Sequence, residues 1–145
     1  MNSAREGGNL LSQAHQLSGR VFSRVLKQHG IDELNPSQGR ILYELWKEDE
    51  LTQTELAART KLDKSTLALM LDRLAAAGQI ERIRDPSDSR KRIVRTTESN
   101  RKLHRAYAAA SEEMTEIFYR GIDRRESDDF ENTLRKIIAN LMKGE

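Results

Sequence analysis

The chain has 145 residues, of which 37% are hydrophobic and 33% are charged, and this profile is typical of one soluble globular domain with its own core. It contains no cysteine, which excludes a disulfide framework, a cysteine-based zinc site and a thiol redox switch. No apolar run approaches the ~20 residues that span a bilayer, and the N-terminus lacks the pattern of a signal peptide. We therefore expect a cytoplasmic protein without a membrane partner.

The N-terminal part of the chain predicts two helices. The first runs from Leu10 to near Gly30 and repeats apolar residues at helical spacing, at Leu10, Ala14, Leu17, Val21 and Val25. The second begins after Asn35, a typical N-cap residue. Pro36 occupies its first helical position, and Gln38 is placed to reach back to the cap.

Two short capped helices follow. Thr52 and Glu55 repeat the capping pattern and open a helix through about Arg59, while Asp63 caps a helix that runs to Gly78. Their close succession predicts a helix-turn-helix, in which the second helix enters the DNA major groove with its N-terminus first.

The second of these helices has two predicted faces. One face forms the core between the two helices, from Leu56, Ala57, Leu67, Leu71 and Leu74. The other face presents Lys64, Ser65, Ala68, Leu69 and Asp72. Lys64, Ser65 and Thr66 offer polar groups to base edges, whereas Ala68 and Leu69 could pack on thymine methyl groups. A second interpretation places Leu69 in the core.

Beyond Gly78, the stretch "IERIR", a loop over residues 85–91 and the stretch "RIVR" predict a β-hairpin with a long turn. Residues 80–105 contain nine cations and four anions, so this segment carries a net charge of +5 and the rest of the chain −3. A local positive field is typical of nucleic-acid contact. On charge alone, a well-solvated surface is an equally open alternative.

The C-terminal third predicts two more amphipathic helices. The first repeats apolar residues at Leu103, Tyr107, Ala110, Met114 and Ile117, and the second, after Ser127, at Phe130, Leu134, Ile137 and Leu141. One small domain cannot easily bury these stripes together with that of the first helix, which favours a symmetric dimer. Packing within one chain is the alternative.

Enzymatic motifs are absent from the sequence. The three histidines are isolated, and there is no metalloprotease motif, glycine-rich phosphate loop or nucleophile elbow. We therefore expect no catalytic residue, metal site or cofactor. A small enzyme is the third and weakest interpretation of the sequence.

Four stretches follow one another as in the MarR family of winged helix-turn-helix regulators, which the chain resembles over about residues 34–97: "LNPSQGRIL", "LTQTELAARTKLDKSTLALMLDRLAAAGQIER", "DPSDSR" and "TTES". The resemblance implies a mainly α fold with a small β-hairpin wing. It also implies a homodimeric bacterial transcription regulator. Residues 34–97 would bind DNA, and residues 1–33 and 98–145 would supply dimerisation helices, all within one compact chain without a linker.

The resemblance further implies roles for individual residues. Asp88 would shape the tip of the wing and place Arg90 in the minor groove, with Arg84, Lys91 and Arg92 as further DNA contacts. Family ligands occupy a cleft between the dimer helices and the DNA-binding part. We expect Phe22, Tyr43 and Trp46 to line this cleft and a small aromatic or phenolic effector to enter it.

Together these features predict a homodimer that binds an inverted repeat in double-stranded DNA. It would repress transcription until a signal changes the spacing of the two DNA-binding regions of the dimer. Activation is equally compatible with the sequence. The alternative is a dimeric protein-interaction module with weak or no specific DNA binding. Leu69 motivates it, because this family often has polar or basic residues at that position.

Overall fold

The computed structural model describes residues 5–32 and 34–145, so residues 1–4 and 33 of the predicted N-terminal segment lie outside it. The elements in chain order are α1 (Gly7–Gln28), α2 (Pro36–Lys47), β1 (Leu51–Thr52), α3 (Gln53–Thr60), α4 (Lys64–Ala76), β2 (Ile80–Arg84), β3 (Arg92–Thr96), α5 (Asn100–Phe118) and α6 (Arg124–Lys143). The predicted fold class, mainly α with a small hairpin wing, is confirmed. No helix in the described part of the chain is long and apolar enough to cross a membrane.

Capping residues fix the starts of the central helices where the sequence predicts them. The Asn35 side chain accepts from the Gln38 backbone N–H, and the Gln38 side chain accepts from the Asn35 N–H, both at 2.9 Å. Thr52 and Glu55 exchange the same two bonds at the start of α3. Each box satisfies backbone donors that the helix itself leaves unpaired, which holds α2 and α3 in place.

The start of the last helix differs from the sequence prediction. It begins at Arg124 rather than after Ser127, because Asp123 is the cap and accepts from the Glu126 N–H at 2.9 Å. The Ser127 hydroxyl instead donates to the Asp123 carbonyl oxygen at 2.9 Å, one turn into the helix.

The sheet has three antiparallel strands in the order β1-β3-β2. Strands β2 and β3 form the predicted hairpin, with Ile80 opposite Thr96 and Arg84 opposite Arg92. The third strand, β1, was not predicted, because its two residues are too few to show an alternating pattern. Its Leu51 pairs with Val94 and closes the sheet over the helix-turn-helix.

The main core lies between α2, α3, α4 and the sheet. Four of the five predicted core residues, Leu56, Leu67, Leu71 and Leu74, are buried there, and Ala57 packs against them partly exposed. Leu69 is 48% exposed, so the interpretation that placed it in the core is wrong. The remaining α4 leucines and Met70 already fill the buried side of the helix.

A second, smaller core joins the N-terminal and C-terminal helices of the chain. Val25 and Leu26 of α1 pack with Ile31 and with Ala110 of α5, and Tyr107 lies against them. Helix α1 and helix α5 are therefore held together, whereas Leu10 and Leu17 of the α1 stripe are exposed.

Large apolar side chains are exposed along both ends of the chain. On α1 and from the end of α5 through α6 they are Leu10, Leu11, Leu17, Phe118, Ile122, Phe130, Ile137, Ile138, Leu141 and Met142. Among the described residues, α6 has no buried member. Packing within the described chain therefore does not cover these stripes.

Asn100 joins three parts of the fold. Its side chain is buried, accepts from Trp46 Nε1 at 2.6 Å and donates to Gln79 Oε1 at 2.9 Å. We expect Asn100→Ala to lower the free energy of unfolding by about 1–3 kcal/mol, because both half-buried partners lose their hydrogen bond. Urea titration followed by the fluorescence of Trp46, the only tryptophan, measures this loss.

The control for this variant is Asn9→Ala, at an exposed position in the first turn of α1. We expect it to change the free energy of unfolding by less than about 0.5 kcal/mol. Equal stability of Asn100→Ala and the wild type would contradict a linking role for Asn100.

Candidate nucleic-acid interface

The helix-turn-helix is formed by α3, a tight turn and α4. Lys61 adopts a left-handed backbone conformation with φ 61°, which ends α3, and Asp63 then caps α4 through the Thr66 N–H at 2.7 Å. The exposed side of α4 carries Lys64, Ser65, Ala68, Leu69 and Asp72, which we call the reading face. The structure thus brings the predicted α4 residues together, with Ala68 half-buried, and places Thr66 at the cap.

The hydroxyl groups of the first turn are engaged within the protein. Ser65 Oγ donates to Asp63 Oδ1 at 2.9 Å, and Thr66 Oγ1 donates to Asp63 Oδ2 at 3.0 Å. The Thr66 backbone N–H and these hydroxyls lower the pKa of Asp63, so its carboxylate stays charged. Both hydroxyl protons are therefore committed, and Lys64 is the donor on the reading face that projects into solvent.

The wing tip has the geometry expected of an anchored arginine. Asp88 Oδ1 accepts from the Arg90 backbone N–H at 3.1 Å and from Arg90 Nε at 3.2 Å. These bonds lower the pKa of Asp88. The Arg90 side chain is 89% exposed although it is paired, so its guanidinium lies at the surface of the hairpin while bonded to Asp88.

Asp85 acts as a turn residue. Its carboxylate accepts from the Ser87 N–H and from the Ser87 hydroxyl, both at 2.8 Å, and these bonds lower the pKa of Asp85. Its own N–H donates to the Lys91 carbonyl oxygen at 3.1 Å, which closes the loop. Both aspartates of the wing are therefore used to shape it.

The cations at the loop end of the wing lie beside the start of the helix-turn-helix. Arg90, Lys91 and Arg92 line a surface groove together with residues 52–55, at the N-terminus of α3. Arg84 is exposed opposite Arg92 in the hairpin. The predicted wing cations are thus placed together at one end of the hairpin.

One contact that the sequence does not reveal joins the wing to the reading face. Arg82 Nη1 of β2 lies 2.9 Å from Asp72 Oδ1 of α4. The pair links the wing strand to α4. No local pattern predicts it, because the two residues meet only where β2 packs against α4.

A cavity of about 410 Å³ lies between α1, α2 and α5, and its walls include Phe22, Tyr43, Arg40 and Tyr107. Two of the three predicted cleft residues therefore meet there. Trp46 lies outside this cavity, where it stacks on His104 with ring centroids 4.4 Å apart. Tyr43 and Trp46 are three positions apart and share one side of α2, where both line an adjacent groove with His104 and Tyr107.

Tyr107 is a cavity residue that sequence reasoning assigned only to an apolar stripe. Its ring packs edge to face on Phe22, with centroids 5.5 Å apart, and lies 5.0 Å from the Trp46 ring. Burial raises the pKa of Tyr107, so it stays protonated and available as a donor. It connects the cavity to Trp46.

A helix-turn-helix followed by a hairpin with an exposed, anchored arginine defines a winged-helix DNA-binding protein. The family model described as "MarR family" matches residues 34–92. The chain is 30% identical over 132 residues to the HTH-type transcriptional repressor NicR of Pseudomonas putida. This alignment covers 90% of this chain and 81% of NicR. The chain belongs to the MarR family of transcriptional regulators, and these are DNA-binding regulators rather than enzymes.

Two further similarities agree with this assignment. The chain is 36% identical over 85 residues to the HTH-type transcriptional regulator TtmR of Methylorubrum extorquens, but it spans only 42% of the length of TtmR. The crystal structure of the PcaV transcriptional regulator from Streptomyces coelicolor with its natural ligand matches with a TM-score of 0.78 and 25% identity. That match covers 96% of this chain and 98% of PcaV.

Proposed function

We propose that this protein is a cytoplasmic homodimeric repressor that binds an inverted repeat and is released by a small molecule. The observation that carries the proposal is the pairing of an exposed reading face on α4 with a wing whose arginine is both anchored and 89% exposed. Residues 34–97 would read the DNA, and residues 1–33 and 98–145 would form the dimer.

DNA recognition would divide between the two elements. The reading face of α4 fits the major groove, where base edges differ, and Arg90 fits the minor groove, where a narrow A·T-rich segment has a strong negative potential. The cations around the wing contribute phosphate contacts. We expect the affinity to fall steeply with salt, since each neutralised phosphate adds about −0.9 to the logarithmic slope.

The exposed apolar side chains of α1 and α6 favour a second copy of this chain as the partner. A two-fold symmetric dimer buries the same surface on both copies and relates the two α4 helices by a dyad. The half-sites would then lie about 10–10.5 bp, or ~34 Å, apart.

The test is selection from random duplex DNA at physiological salt, followed by footprinting and sedimentation. We expect one enriched palindrome, a two-fold symmetric footprint and a dimer at micromolar concentration. A selected site without a dyad, or a monomer at that concentration, would contradict the proposal.

Leu69 favours a second candidate function, a dimeric protein-interaction module on the same scaffold. An exposed leucine is an unusual choice for a hydrogen-bonding surface and would suit an apolar protein contact. The same selection separates the two functions, because the module would bind all duplexes weakly and equally.

The cavity between α1, α2 and α5 supports release by a small molecule. Its apolar walls and the nearby Arg40 suit an aromatic or phenolic compound with a polar or acidic group. PcaV, which shares the fold, is known in complex with its natural ligand, and NicR is a repressor. A ligand would act by binding one dimer geometry better than another.

Filling this cavity tests the proposed release. Gly19 of α1 lines the cavity, and a Cβ built on it meets no atom within 4 Å. We expect Gly19→Phe to abolish the effect of aromatic acids and phenols on DNA affinity, because its ring occupies the space. DNA binding without the compound is expected to stay within about twofold of wild type, because the added side chain occupies open space and displaces no neighbouring atom.

Gly19→Ala is the matched control, because it keeps the cavity and only strengthens the helix by up to about 1 kcal/mol. It should respond to the compounds as the wild type does. DNA affinity is measured with and without each compound, with Trp46 fluorescence as a second signal. If no compound changes either signal in the wild type, release by this class of molecule is contradicted.

A further inference from the structure

The reading face of α4 presents an apolar side chain where hydrogen-bonding groups are expected. Leu69 is 48% exposed, although the same helix buries Leu67, Met70, Leu71 and Leu74. Leu69 therefore lies on the outward side of a helix whose buried side these four residues already fill. Ala68, next to it, adds a methyl group to the same surface.

The polar groups around Leu69 are already paired within the protein. The Ser65 and Thr66 hydroxyls donate to Asp63, and Asp72 is held by Arg82 at 2.9 Å. Lys64 and the exposed Arg73, one turn after Leu69, are the charged donors of α4 that can reach a base or a phosphate. The Leu69 side chain, with the Ala68 methyl group beside it, is the apolar part of the reading face.

One base edge matches this chemistry. Thymine carries a C5-methyl group in the major groove, whereas cytosine presents an amino donor and no methyl group at the corresponding edge. Contact with the methyl group removes apolar surface of both partners from water. A cytosine at the same position would leave its amino group facing a leucine that cannot accept a hydrogen bond.

We propose that Leu69 is a specificity-determining residue that selects thymine through its C5-methyl group, once in each half-site. The proposal rests on the DNA-binding function proposed above and deepens it. It assigns the exposed leucine to DNA rather than to a partner protein.

The test compares thymine with deoxyuridine, which lacks only the methyl group. The palindrome enriched from random DNA is resynthesised with one symmetric pair of thymines at a time replaced by deoxyuridine. For one such pair, wild-type affinity should fall about fourfold per methyl group, or about 15-fold for both half-sites together. The other thymine pairs serve as internal controls and should change little.

The variant Leu69→Ala provides the second part of the test. We expect it to bind the thymine palindrome more weakly than the wild type and to bind the thymine and deoxyuridine duplexes equally well. Its thermal midpoint should match that of the wild type, because the side chain is not part of the core. Leu69→Gln should shift the preferred base at that position towards adenine, which glutamine contacts through two hydrogen bonds.

Three results would overturn the proposal. In the first, no thymine pair shows a methyl dependence in the wild type. In the second, Leu69→Ala retains the full deoxyuridine penalty while Ala68→Gly loses it, which would assign the contact to Ala68. In the third, no duplex is enriched, and the DNA-reading function then fails together with the inference. The first two leave an enriched palindrome in place, so they separate failure of the Leu69 role from failure of the function.

Discussion

Replacing Ile138 and Leu141 together by glutamate is expected to convert the protein into a monomer and to abolish specific DNA binding. Both side chains are exposed in the single chain, Leu141 by 64%, and two glutamates placed there would carry charge into the proposed interface. A monomer can contact only one of the two half-sites, so affinity for the palindrome should fall by about 100-fold or more. Sedimentation equilibrium and DNA titration measure the two effects.

Lys136→Glu is the control on the same helix. Lys136 lies two positions before Ile138 and five before Leu141. Its exposed side chain therefore projects from a different side of α6. We expect the variant to remain dimeric and to bind DNA nearly as the wild type does. A dimeric Ile138→Glu, Leu141→Glu protein would contradict a dimer formed through α6.

Removing the anchored arginine of the wing is expected to weaken binding to every DNA site. Arg90→Ala should lower affinity by about 10- to 100-fold, because both half-sites lose a cation in the minor groove. The loss should be largest for sites flanked by A·T-rich segments, whose narrow groove concentrates negative potential. Titration of one palindrome with A·T-rich and G·C-rich flanks measures both effects.

The variant Asp88→Ala distinguishes a wing whose arginine is positioned by Asp88 from a loop that acts only through its positive charge. Removing an anion would strengthen a loop that acts only through its positive charge, but it frees Arg90 from the three bonds that Asp88 makes to it. We expect weaker binding. Glu98→Ala, which also removes an exposed anion near the basic segment, is the charge control and should bind equally well or slightly better. Tighter binding of Asp88→Ala at all sites would show that the aspartate has no positioning role.

Local signals predicted much of the fold. The capping boxes at Asn35 and Thr52 involve residues three apart, so the sequence alone predicts them and the helices that they open. The same holds for the Asp88 and Arg90 pair, which lies within one turn. Periodicity also separated the buried leucines of α4 from its exposed face.

Features that depend on distant contacts were not predicted. Strand β1 exists only because Leu51 meets Val94, 43 positions away by numbering, and two residues show no pattern of their own. The pair between Asp72 and Arg82 likewise forms only where strand β2 packs against helix α4. Trp46 was expected in the cavity because it is aromatic and close in sequence to Tyr43, whereas its bond to Asn100 directs it elsewhere.

The hydrogen bonds of Asn100 have a mechanical consequence for any signal that reaches the DNA-binding part. Trp46 on α2, Asn100 at the start of α5 and Gln79 before β2 are linked in series, so we expect these three segments to move together as one block. In the proposed dimer, a compound in the neighbouring cavity would then rotate this block as a unit rather than deform it. We expect amide hydrogen exchange within the block to stay slow in both states, while the distance between the two blocks changes.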